Sequence, residues 1–278
     1  MNKIGIMQGR VIPERLDRLQ VFPASNWTKE IIKASEIGFE CVELLFDKES
    51  NLEKLLDNSD NFTELGLQPK RKKKSFVARS VCMDALSSLS LLKPNSREQF
   101  FQKIAKLIHN IKGMSVDVLV IPFCDSNSIT KEEELSQVLN LFEENKLDEK
   151  ASESNIILAL ELSLSASQIQ SAFKTHSFMN IAICFDLGNA RGSGFCPEEE
   201  ISVLNKLIAH VHIKDKKVNG PNVMLGEGDV DFSACLKSLK EIDYDGQFIL
   251  ETPYESSPLA EAKKNLQFIQ ETLKRVEA

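Results

Sequence analysis

Eight short β-branched or apolar runs recur along the chain, each followed by a stretch long enough to form a helix. The runs are Ile4–Met7, Cys41–Phe46, Ala78–Met83, Val116–Pro122, Ile156–Glu161, Ile181–Asp186, Ala209–Ile213 and Phe248–Glu251. Strands separated by helix-sized connections pair in parallel through right-handed crossovers, which restricts the fold to α/β. An open doubly wound sheet and a closed (β/α)8 TIM barrel both satisfy that rule. Eight units in 278 residues, with no glycine-rich dinucleotide turn after the first run, favour the closed barrel. The expectation is one barrel domain spanning residues 1–278.

The connections carry helix signals. Ser96 with Gln99, and Thr130 with Glu133, have the spacing of a capping box, predicting helix starts at both places. Phe100, Ile104, Leu107, Ile108 and Ile111 fall on one helical face, as do Ala262, Leu266, Ile269 and Leu273 near the C-terminus. Lys70–Lys74 (KRKKK) reads as an exposed charged loop at the N-terminal face of the barrel, with a polyanion patch as the alternative.

The formal net charge of −7 argues against a surface built to neutralise a nucleic-acid backbone. None of the six cysteines forms a CxxC pair, and four lie within or beside strand-like runs, so free thiols in a reducing compartment are expected. The start, MNKIGIMQGR, turns polar too soon for a signal-peptide core, and no run approaches 18 apolar residues. A cytoplasmic protein with no membrane partner is predicted.

In a (β/α)8 barrel the C-terminal strand ends converge on one mouth, so polar residues there are the chemical candidates. The fifth run, IILALEL, reaches Glu161; the sixth, IAICFDLGN, ends on Asp186, with Asn189 just beyond. The seventh, AHVHIKD, puts His210 and His212 on one side of a strand, and either could serve by spacing alone. The eighth, QFILETPYE, ends on Glu251. Three carboxylates and one imidazole on successive strands suit a divalent cation, because without one the carboxylates would repel each other and at least one would hold its proton. Gln8, Arg10, Glu43 and Lys214 also lie near strand ends and are candidate substrate contacts, with structural ion pairing the competing use for Arg10 and Glu43. Asp84 has the same two readings. His109 and His176 read as surface residues. Leu225–Phe232 (LGEGDVDF) reads as a tight turn before a helix capped by Asp231, with a phosphate cradle as the alternative.

Almost the whole chain resembles the xylose isomerase-like barrel superfamily, in particular its sugar phosphate isomerase/epimerase group. The resemblance rests on MQGRVIP at 7–13, QVFPASNW at 20–27, CVELLFD at 41–47, SVCMDAL at 80–86, FDLGNARGSG at 185–194, HVHIKD at 210–215, LGEGDVDF at 225–232 and ETPYE at 251–255. D-tagatose and D-psicose 3-epimerases and hydroxypyruvate isomerase are relatives of this kind. The resemblance implies that Glu161, Asp186, His212 and Glu251 are metal ligands, which selects His212 over His210. It also implies that Glu161 and Glu251 act as acid and base on opposite faces of a small carbohydrate or keto acid. One divalent ion is implied, Mn²⁺ preferred, with Mg²⁺, Co²⁺ or Zn²⁺ as alternatives; a homodimer is compatible. The epimerases commonly carry histidine where this chain has Asn189, and asparagine can hydrogen-bond a hydroxyl but cannot exchange protons near neutral pH. The related type IV apurinic endonucleases need three zincs and many more histidines than the four present here, and this chain has an Asn222-containing loop where further ligands would fall. The expected activity is isomerisation or epimerisation through an enediolate. A metal-dependent dehydratase is the next alternative, followed by an abasic-site endonuclease relative and a non-catalytic barrel.

Overall fold

The structure, a computed structural model, describes residues 2–13, 15, 20–48, 76–112 and 115–277. The Lys70–Lys74 tract lies outside the described residues. Eight parallel strands close into a barrel: β1 (Ile4–Met7), β2 (Cys41–Leu45), β3 (Val77–Cys82), β4 (Val118–Pro122), β5 (Ile157–Glu161), β6 (Ile181–Asp186), β7 (Ile208–Ile213) and β8 (Phe248–Leu250). Each strand neighbours the next in sequence, and β1 pairs with β8 to close the ring. The closed ring leaves none of its eight strands with a free edge, which removes the aggregation hazard of an open sheet. This is the expected (β/α)8 TIM barrel.

Strand alternation sorts the side chains into two cores. One face of each strand packs outward against the helices, as Leu158 and Leu160 of β5 and Ile181, Ile183 and Phe185 of β6 do. The other face fills the barrel interior with Met7, Cys41, Leu45, Cys82, Val118, Val120, Ala159, Cys184 and Ile249. That interior is tight at one end: a Cβ on Gly5 would lie 2.6 Å from Cys41 Sγ and 2.7 Å from Ile249 Cδ1. One alternation step further along β5 and β6, the inward positions become Glu161 and Asp186. The site therefore sits on a small-residue and sulfur-lined floor.

The helices follow the predicted faces with shifted starts. Phe100, Ile104, Leu107, Ile108 and Ile111 are the buried residues of α2 (Pro94–Ile111), which follows α1 (Trp27–Ile37) among the described residues. Burying each such side chain is worth about 1.5–3 kcal/mol. Ser96 is not the cap of α2. The helix begins at Pro94, whose fixed φ and missing N–H suit a first turn, and Ser96 Oγ donates back to the carbonyls of Ser90 and Lys93. For α3 (Glu132–Glu144) the reaching carboxylate is Glu134, one residue beyond the predicted Glu133. It accepts from the amides of Thr130 and Lys131. In α9 (Pro258–Glu277), after α4 (Leu147–Ser154), α5 (Ala166–Phe173), α6 (Leu187–Gly192), α7 (Pro197–Leu204) and α8 (Phe232–Glu241), Ala262, Leu266 and Ile269 are buried and Leu273 packs against the core. Among the described residues, no helix is long and apolar enough to cross a membrane.

Candidate metal centre at the barrel mouth

Glu161 closes β5, Asp186 closes β6, His212 lies one residue before the end of β7 and Glu251 follows β8 directly. Register brings them together: Asp186 pairs with His212, and Ile249 pairs with His212 two residues before Glu251. One donor atom from each of Glu161, Asp186, His212 and Glu251 lies within 4.8 Å of the others. His212 Nδ1 faces Glu251 Oε2 at 3.2 Å and Glu161 Oε2 at 4.0 Å.

Asp186 has two tasks because α6 begins directly after it. Its Oδ1 accepts the Asn189 amide at 2.7 Å and caps α6. Its Oδ2 lies 2.9 Å from the Lys214 ammonium, but among the described residues it accepts no hydrogen bond. His212 Nδ1 is likewise buried without a hydrogen-bond partner among them. Two buried donor atoms that make no hydrogen bond, beside two further carboxylates, form the kind of set that a dication satisfies, since oxygen ligands suit hard ions and one imidazole suits borderline ones. The residues present therefore fit a divalent metal.

Four further side chains surround this group. Lys214 Nζ also lies 3.0 Å from Glu251 Oε1, bridging the ends of β6 and β8. Gln20 donates to the same Glu251 oxygen at 2.7 Å and accepts from Arg10 at 2.9 Å. The Arg10 guanidinium, itself buried, lies 3.8 Å from Glu251. Asn189 Nδ2 donates to Glu161 Oε1 at 2.9 Å.

These neighbours push the two glutamates in opposite directions. Burial raises the Glu161 pKa, and the nearby charges of Glu251 and Asp186 raise it further against the opposing pull of His212 and Lys214. Burial would raise Glu251 as well, but the charges of Lys214, His212 and Arg10 outweigh it and hold that carboxyl below the usual range. Burial disfavours the Lys214 ammonium, yet Asp186, Glu251 and Glu161 keep its pKa above the ordinary lysine value.

A cavity of about 240 Å³ opens over the cluster, with Gln20, Asp84, Glu161, Asn189, Lys214 and Glu251 among its lining. That is smaller than the roughly 300–1,000 Å³ of sites for drug-sized ligands, and it suits a small polar molecule. A larger cleft of about 740 Å³ lies at the opposite end of the barrel, around Lys3, Arg79 and Asp117, away from this chemistry.

The other sequence candidates fall elsewhere. Gln8 is fully buried between β1 and β2, where its Oε1 accepts from the Leu45 amide. Glu43 lies beneath the histidines rather than at the mouth: both its oxygens accept imidazole nitrogens, and no part of it is exposed. Those two histidines outweigh burial and hold the Glu43 carboxyl well below its usual range. His109 is exposed on α2, and His176 bonds to Asn140 and its own turn. Asp231 caps α8 as expected. The glycine turn before it is an anion cradle that is already filled: Gly226, Gly228 and Val230 donate their amides to the buried Asp215 carboxylate. Sequence reasoning missed Gln20. It lies in the QVFPASNW motif, but no periodicity marks its contact with a residue 231 positions away.

A closed parallel barrel with a mouth cluster of carboxylates and imidazole defines a class of (β/α)8 proteins with a candidate metal centre. The chain belongs to the xylose isomerase-like TIM barrel family, whose profile matches residues 31–272. It is 26% identical over 258 residues to the L-ribulose-5-phosphate 3-epimerase UlaE of Escherichia coli O1:K1 / APEC, covering 88% of this chain and 89% of that one. Among solved structures, L-ribulose 3-epimerase superposes with a TM-score of 0.71 at 15% identity, covering 100% of this chain and 96% of that one. The IolI protein with a bound zinc atom superposes with a TM-score of 0.70 at 16% identity, covering 99% and 97%. At these identities the structural matches speak for the fold.

Proposed function

We propose that this chain is a divalent-metal-dependent epimerase or isomerase of a small ketose, its phosphate or a related keto acid, with Glu161 and Glu251 moving the proton. The observation that carries the reading is the pairing of these two glutamates across one small cavity, in a cluster with Asp186 and His212 in which two buried donor atoms make no hydrogen bond. Glu161, Asp186, His212 and Glu251 would hold the ion, with Mn²⁺ the preferred occupant of an oxygen-rich set with one imidazole. A dication there supplies Lewis acidity, which makes the C–H beside a ketose carbonyl easier to ionise.

The chain's own residues do the rest. One glutamate removes the proton from the carbon between carbonyl and hydroxyl, and the other returns a proton to the opposite face, which inverts that centre. Removal of a proton from C1 of the ketose instead, with return at the carbonyl carbon and transfer of the C1 hydroxyl proton to the former carbonyl oxygen, gives ketose–aldose isomerisation. Lys214, Gln20 and Arg10 hold Glu251 in place, and Asn189 holds Glu161 while lining the cavity where a substrate hydroxyl would lie. Asparagine orients and does not titrate, so proton transfer rests on the glutamates. The near-full-length similarity to an L-ribulose-5-phosphate 3-epimerase makes that ketose phosphate the first substrate to try. The six free cysteines support a reducing, cytoplasmic setting.

The test is solvent deuterium exchange by the metal-loaded protein over ketoses, their phosphates and hydroxypyruvate. Exchange at the carbon beside the carbonyl is expected for at least one of them. Loss of water from the substrate would indicate a dehydratase instead, and no exchange with any of the panel would overturn the reading.

A further inference from the structure

His210 and His212 point into the barrel from the same side of β7, and they share one carboxylate. Glu43, from β2 across the barrel, accepts His210 Nε2 at 2.7 Å on one oxygen and His212 Nε2 at 2.9 Å on the other. All three side chains are fully buried. The two rings stand nearly perpendicular, at 79° with centroids 5.3 Å apart, so the carboxylate is gripped from two directions. His212 then turns its other nitrogen, Nδ1, toward Glu251 and Glu161.

This arrangement fixes where the protons are. An ionised carboxylate only accepts, so both Nε2 atoms must carry hydrogen. In a neutral ring the remaining nitrogen then offers a lone pair, and for His212 that is Nδ1, the atom among the mouth carboxylates. The opposite tautomer would forfeit the Glu43 hydrogen bond and aim an N–H at the ligand cluster. We propose that Glu43 is a positioning residue that locks His212 as the Nε2–H tautomer, so that Nδ1 is the nitrogen that meets a divalent ion. His210 is the second anchor, which stops the Glu43 carboxylate from rotating away. The inference rests on reading the mouth as a metal centre, and it assigns to this Glu–His–His group a task that neither the strand ends nor the cavity lining explains.

Carboxylates that orient a ligating imidazole in this way change metal affinity by about 10- to 100-fold when removed. The experiment titrates Zn²⁺ into metal-stripped wild type, Glu43→Gln and His210→Phe by calorimetry, with melting curves to establish folding. Long-range ¹⁵N–¹H spectra of the zinc-loaded proteins report each histidine tautomer. Glu43→Gln is expected to weaken zinc binding by about 10- to 100-fold, and to give a mixed tautomer at His212, because the amide offers one imidazole a donor in place of an acceptor. His210→Phe should keep the Nε2–H form with a smaller loss of affinity. Wild-type affinity and an unchanged tautomer in Glu43→Gln would overturn the inference alone. Failure of the wild type to bind zinc would overturn the metal reading and this inference with it. Should Glu43→Gln not fold, the wild-type spectrum decides: zinc on His212 Nδ1 supports the proposal, and zinc on Nε2 overturns it.

Discussion

Two groups of carboxylates, one saturated by backbone amides and one gathered at the barrel mouth, have surroundings that differ in kind. Asp215 is fully buried, and four backbone amides converge on it: Lys216 and Val230 on Oδ1, Gly226 and Gly228 on Oδ2. Glu30 is held in the same way by the amides of Gly9, Val11 and Ile12. The mouth carboxylates have no such shell. Glu161, Asp186 and Glu251 face each other, two cationic side chains and one imidazole, and Asp186 Oδ2 accepts no hydrogen bond among the described residues. A carboxylate saturated by amides has spent its lone pairs on holding a loop. One left facing its own kind is costly to the fold and available for chemistry. Substitutions in the two groups should therefore part company, one lowering stability and the other activity.

The largest effect falls on the mouth. Glu161→Gln and Glu251→Gln should each lower solvent deuterium exchange into the substrate by about 10²–10⁴-fold, the usual contribution of a positioned acid or base. Both variants should remain folded by circular dichroism. Normal exchange in either would remove the two-glutamate assignment.

Asp215→Asn should do the reverse. Whichever oxygen becomes an amide nitrogen, two backbone N–H groups lose their acceptor and meet a donor instead. Each buried unsatisfied group costs about 1–3 kcal/mol, so a loss of about 2–6 kcal/mol in denaturant titration is expected. Exchange activity of the folded protein should fall less than tenfold. Gly228 belongs to the same shell: a Cβ there would meet Asp215 Oδ1 at 2.1 Å, so Gly228→Ala should destabilise in the same sense.

Metal links the two properties at the mouth. A divalent ion that binds only the folded protein adds about 2.7 kcal/mol at one hundred times its Kd. Mn²⁺ should therefore raise the melting temperature of wild type and of Asp215→Asn by similar amounts. It should raise that of Asp186→Asn much less. Chelation should return wild type to its metal-free melting point and abolish exchange.

Much of this contrast was legible in the sequence, but only one half of it. Strand alternation is local, so Ile181–Asp186 could be read to its last residue and the four mouth residues could be read as strand ends. The HVHIKD repeat showed that His210 and His212 share a face, but not what they face. Their partner, Glu43, is 167 and 169 residues away, and closure of the barrel brings it there. The LGEGDVDF turn announced tight backbone and a helix cap, yet its amides are turned inward by Asp215, an aspartate that spacing could not distinguish from a ligand. The helix starts slipped by three residues in α2 and by one in α3 for a related reason: Pro94 sets the first turn of α2 directly, and Glu134 rather than Glu133 lies under the amides before α3. Partners that depend on tertiary closure leave no period to read.

The smallest expected effect tests the comparison from the stability side. The Glu161 pKa is raised in the fold, chiefly by burial and then by Glu251 and Asp186, so the folded protein binds this proton more tightly than the unfolded chain does. Stability from this group is full below the ordinary carboxylate range and is lost as pH rises toward the raised value. At neutral pH, metal-free Glu161→Gln escapes that loss and should melt slightly above metal-free wild type, by about 1 kcal/mol or less after allowance for relaxation of the site. Below about pH 4, where wild-type Glu161 is protonated in both states, the difference should vanish. A Glu161→Gln variant that melts well below wild type at neutral pH would mean that this carboxylate holds the fold together as Asp215 does, and the division between the two groups would fail.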